Sequence, residues 1–107
     1  MPANIPTPRL TNRVGEPLPG NTISVAKESA GVDIRVSTAS LAKGTVVRAF
    51  FVLVGEWFLE KKVEVPGEDL IFTVEHAAYK LHAGKEATIK CKYNQVDSPE
   101  LKAPIVG

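Results

Sequence analysis

From Gly20 onward the apolar residues recur mostly at every second position, the spacing of strands half-buried on one face. Ile23 and Val25 mark a short strand, and Val32, Ile34 and Val36 then alternate with Asp33, Arg35 and Ser37. The cleanest alternation is late in the chain, where Ala87, Ile89, Cys91 and Tyr93 interleave with Thr88, Lys90, Lys92 and Asn94. Successive side chains of a strand point to opposite faces, so each run predicts one face toward a core and one toward water.

The segment Val46 to Val54 (VVRAFFVLV) is apolar on both faces except at Arg48. Its length and β-branched content predict a central strand, covered by the facing sheet on one side and by an arm or partner on the other. Gly55–Glu56 predicts a two-residue hairpin connection with Gly first, as a type II′ turn prefers. Trp57 to Val65 is then the antiparallel partner, with Glu60, Lys62 and Glu64 outward. Pro66–Gly67 predicts a type II turn, because Gly accepts the positive φ at the second central position. Leu70 to Val74 reads as a strand, Glu75 to Leu81 as a single helical turn, and Ala83-Gly84-Lys85 as a turn. Leu101 to Val106 reads as a last strand, which Pro104 confines to an edge or an end. About seven short strands separated by turns predict an all-β antiparallel sandwich.

Five of the eight prolines precede residue 20. Proline lacks the N–H that ladders need, so residues 1–19 are expected to form an extended arm, with the sandwich spanning residues 20–107. Ile5, Leu10 and Val14 are spaced along this arm as anchors for a neighbouring subunit, and Arg9 and Arg13 are either solvated charges or part of the same contact. A proline-rich peptide loses less entropy on docking in an extended form.

At 107 residues the chain has room for one domain. Its net charge of +1 comes from scattered residues, and only Lys61–Lys62 are adjacent basic neighbours. That balance argues against nucleic acid or a membrane surface as a charge-driven partner. Cys91 is the only cysteine, so no intrachain disulfide can form, which points to a reducing compartment or a sandwich held by packing alone. Met1 to Leu10 has no apolar stretch of the signal-peptide kind, and the longest apolar run, Ala49 to Val54, is far below the ~20 residues that span a bilayer. If Met1 is the native start, the protein is expected to remain in the cytoplasm or to leave without an N-terminal signal.

Catalytic constellations are sparse. His76 and His82 lie in the least regular segment, and Glu75 and Glu86 add no recognisable zinc spacing. No serine sits in a G-x-S-x-G context, the glycines are dispersed at turns, and the aspartates are too far apart for a calcium loop. Cys91 reads as a small core residue, and no cofactor or metal is expected. Trp57, beside the hairpin tip, is either a core aromatic or an exposed binding anchor, and Tyr79 divides in the same way.

The stretch from Leu81 to Tyr93 (LHAGKEATIKCKY) resembles the late strand and preceding turn of bacterial and phage immunoglobulin-like domains. Leu70 to Val74 is similar to the strand before it, and Ser98-Pro99-Glu100-Leu101 to the lead into their final strand. The resemblance covers roughly residues 20–106 and implies an immunoglobulin-like antiparallel β-sandwich, with no site residues to carry over. Such domains serve as parts of phage virions or as bacterial surface modules. The expectation is a non-enzymatic structural protein that decorates a phage particle through contacts with capsid or other virion subunits, or with itself. The alternative is a bacterial cell-surface adhesion module.

Overall fold

The alternation in the sequence becomes two packed sheets. The computed structural model describes residues 7–39, 41–93 and 95–107. The smaller sheet contains β1 (Arg9–Asn12), β3 (Val32–Val36) and β6 (Leu70–Val74), in the order β1-β3-β6. The larger contains β2 (Ile23–Ser24), β4 (Val46–Val52), β5 (Glu56–Lys62), β7 (Glu86–Tyr93) and β9 (Leu101–Val106), in the order β2-β9-β7-β4-β5. A further strand, β8 (Val96–Asp97), pairs with the end of β7. Neighbours run antiparallel except β2 and β9, which are parallel.

The core is the space between the sheets. Register places Leu10 beside Ile34 and Ile34 beside Phe72, and all three are buried. From the larger sheet Val47, Ala49 and Phe51 of β4 and Ala87, Ile89 and Cys91 of β7 close the same core. Burying an aliphatic or aromatic side chain contributes about 1.5–3 kcal/mol, so these rows outweigh any single polar contact. Loops are pinned by specific bonds: Thr38 Oγ1 donates to the Glu68 carbonyl (2.6 Å) and accepts from the Gly67 N–H (2.9 Å). Pro66–Gly67 makes the expected turn, with Gly67 at φ 98° and Glu68 N–H bonded to Val65 O. At Gly31, with φ 103°, a Cβ would sit 2.6 Å from the Val74 carbonyl oxygen, so only glycine lets the β3 entry pass the end of β6.

The structure differs from the sequence reading in four places. Residues 8–18 are not an arm outside the sandwich: β1 pairs with β3, and Leu10 and Leu18 are buried in the core. An edge strand needs only one row of backbone bonds, so prolines at its flanks do not forbid it. The chain then turns through Asn12, whose Oδ1 accepts from Val14 N–H and Glu16 N–H, and returns with Pro17 opposite Thr11. The β4–β5 connection is the three residues Leu53, Val54 and Gly55, because Val52 pairs with Glu56, and Gly55 does not take a positive φ. Strand β9 lies between β7 and β2 despite Pro104. Ile105 N–H points to β7, bonding Lys85 O, so the imino nitrogen of Pro104 faces the other flank, where β2 pairs only from Ile105 onward. Finally, β4 is inner as expected, but on its outer face only Phe50 is buried, packed against Phe58, while Val46 and Arg48 are exposed.

Candidate interaction surface

The only large aromatic groups left substantially exposed lie on β5 at the rim of the larger sheet, among the described residues. Adjacent residues of a strand face opposite ways, so the Trp57–Phe58 pair puts one aromatic on each face. Trp57 faces the core side and meets the Phe51 ring edge-on at 6.1 Å, yet is 39% exposed. Phe58 faces outward beside Phe50 at 5.4 Å and is 46% exposed. The Arg48 guanidinium lies 5.2 Å from the Phe58 ring centre while its Nε bonds Glu60 at 2.7 Å, and the Lys90 ammonium lies 5.5 Å from that of Phe50.

At the hairpin tip the apolar surface continues. Val54 is exposed, and a groove of about 400 Å³ runs between the tip and the 3-10 turn His76–Ala78, lined by Phe51, Leu53, Trp57, Ala78 and His82. It is apolar and shallow, with no converging set of charged groups. Aromatic residues ringed by charge are the composition of interface centres, where tryptophan is enriched.

The residues expected to bind separate under this geometry. Ile5 lies outside the described residues. Leu10 and Tyr79 are buried, so neither can be a surface anchor. Tyr79 packs edge-on to His76 at 5.4 Å, and its hydroxyl donates to the Glu28 carbonyl. Burial first, then the negative Glu28, pushes that hydroxyl up to about 12. Arg9 pairs with Asp69, and Arg13 Nε lies 3.3 Å from the buried Asp33 carboxylate, which also accepts from Thr73 Oγ1 at 2.8 Å. These arginines thus tie the β1 turn to the smaller sheet. Val14 is 79% exposed at that turn, and Trp57 is on the hairpin surface. Phe58 and Val54 were not singled out from the sequence, although a Trp-Phe pair within one strand already implies an outward aromatic.

Cys91 is buried, its N–H bonded to Ser98 Oγ at 2.9 Å, and burial pushes its thiol up, away from the reactive thiolate. His76 Nε2 is 3.0 Å from Val25 O. Among the described residues no three His, Cys, Asp or Glu side chains gather as a metal site would, and no helix is long and apolar enough to cross a membrane. No family model matches the chain, and neither does a curated protein or a solved structure.

Proposed function

We propose that this domain is an immunoglobulin-like sandwich acting as a non-enzymatic structural protein, a decoration or accessory subunit of a phage particle that works through protein–protein contact. The strand order supports the fold: β1-β3-β6 against β9-β7-β4-β5 follows the A-B-E and G-F-C-C′ order of immunoglobulin-type sheets, without a D strand. The observation that carries the function is the exposed aromatic rim of Trp57 and Phe58, continued by Val54 at the hairpin tip. A solitary monomer has no reason to leave so much aromatic surface on one strand. Cys91 is the single cysteine, so packing holds the sheets together, which suits assembly in a reducing cytoplasm.

Density-gradient fractionation of lysate from cells that make the protein, read by immunoblot, tests this reading. The protein is expected to band with DNA-containing particles, and Trp57→Ala is expected to shift it to the soluble fractions while the domain stays folded, its melt lowered only by the lost edge-on contact with Phe51. Recovery of the unmodified protein only in soluble or envelope fractions would overturn the proposal.

A further inference from the structure

Strand β5 is the last strand of the larger sheet, and no described residue pairs with its outer edge. Which backbone groups that edge presents follows from the ladder. Val63 N–H donates to Thr45 O and Val63 O accepts from Gly44 N–H, both at 2.8 Å, and Leu53 N–H donates to Gly55 O. Odd-numbered residues of β5 therefore turn their N–H and C=O toward β4. Glu56, Phe58, Glu60 and Lys62 turn theirs outward, a row of four donors and four acceptors along one rim.

The sequence of this edge, EWFLEKK, is complementary to itself when reversed. In an antiparallel pair related by a two-fold axis at Leu59, Glu56 stands opposite Lys62 of the second copy, and Phe58 opposite Glu60. Trp57 stands opposite Lys61, and Leu59 meets itself. All four outward residues then fall on hydrogen-bonded positions, as the ladder requires. Shifting the axis to Phe58 or to Glu60 keeps that parity but sets Glu56 against Glu60 or Glu60 against itself, and like charges directly opposite are destabilising. Charges on an edge usually guard against pairing. Here they penalise the neighbouring registers and favour one. Neither Glu56 nor Lys62 has an ion-pair partner within the domain among the described residues, so both are free to take one. Lys61 is already held by the Ile71 carbonyl at 2.5 Å, so its stem, and not its charge, would cover Trp57 of the second copy.

We infer that the partner of the β5 rim is a second copy of this chain, joined edge to edge so that the two larger sheets become one continuous sheet. The inference rests on the protein–protein reading above and names a partner for that surface. One strand edge is small beside a standard interface of about 1,200–2,000 Å². The pair is therefore weak in dilute solution and gains from the local concentration of an array.

Sedimentation equilibrium on the full chain, up to about 1 mM, reads the mass directly. It should rise from 11.5 kDa toward twice that value. Glu56→Lys and Lys62→Glu each turn both attractive cross-strand pairs repulsive, and each alone should weaken dimerisation by at least about tenfold with an unchanged melt. An equimolar mixture of the two variants restores opposite charges at both positions and should dimerise again. A wild-type chain that stays monomeric, dimers indifferent to either single change, or a mixture that fails to recover would each overturn the inference. Particle attachment is scored separately for the same variants. A wild-type chain that attaches yet stays monomeric sinks only this inference, whereas a wild-type dimer that does not attach sinks the proposed function.

Discussion

Replacing Leu10 by alanine separates a structural β1 from an idle arm. Leu10 is 2% exposed and stands beside Ile34 in register, so the change removes core contacts and leaves a space that an edge strand can partly close. Buried Leu→Ala changes cost about 2–5 kcal/mol, and the lower half of that range, about 2–3 kcal/mol, suits a site that can relax. Unfolding entropy of about 2.1 cal/mol/K per residue gives about 0.2 kcal/mol/K for 107 residues, so the melt should fall by about 10–15 °C. Val14, four residues on and 79% exposed, is the internal control: Val14→Ala should stay within about 2 °C. Thermal melts followed by far-ultraviolet circular dichroism, with calorimetry to check two-state behaviour, supply both numbers. A Leu10→Ala melt within about 2 °C of wild type would place β1 outside the cooperative core and refute the reasoning. By the same logic, removing residues 1–13 should destabilise the fold, because that truncation deletes the strand paired with β3.

Three further outcomes follow from the core. Ile89→Asp, at a fully buried site, should leave the domain unfolded at room temperature, whereas Lys90→Asp should cost only about 0.5–1 kcal/mol through the lost contact with the Phe50 ring; comparable melts for both would mean the β7 register is wrong. Because the Tyr79 hydroxyl is raised from 10.0 to about 12, the folded state holds its proton where the unfolded chain releases it. That contribution to stability is complete below pH 10.0 and is lost as pH rises toward about 12, so denaturant midpoints should decline across this window and decline less in Tyr79→Phe. Cys91 should react with a thiol reagent only as fast as the domain opens, and fast labelling under native conditions would contradict its burial.

Period-two patterning made β3 and β7 legible, because apolar and polar side chains alternate along each; the polar row of β7 is partly open to water, while in β3 it holds the buried Asp33. Pro66–Gly67 was legible for a separate reason, since the turn needs a positive φ that glycine supplies without strain. β8 was hard to see because two residues are too few for alternation to register, whereas Ile23 and Val25 together were enough to mark β2. β1 was hidden by composition: its four residues lie between Pro8 and Pro17, and proline content argued for an extended peptide when the same extended backbone was serving as an edge strand. Tyr79 illustrates a different limit. Its segment has no strand period, and only the tertiary meeting of its hydroxyl with the Glu28 carbonyl, 51 residues away in sequence, decides that it belongs inside.

The exposed rim follows from the unequal width of the two sheets. Three strands face a larger sheet whose main path has five, so β5 extends past β6 with nothing of equal width beneath it. The consequence shows in paired residues: Val47, Ala49 and Phe51 are buried, while of their β5 partners Lys61 and Trp57 are exposed and Leu59 is half-buried. Lys61 partly closes this gap by reaching from β5 to the Ile71 carbonyl on β6, its ammonium 5.7 Å from the Phe72 ring centre. A wider smaller sheet would bury the core-facing side of β5 inside the domain. Leaving that sheet at three strands instead gives the molecule an aromatic, self-complementary edge on a frame whose core is already complete.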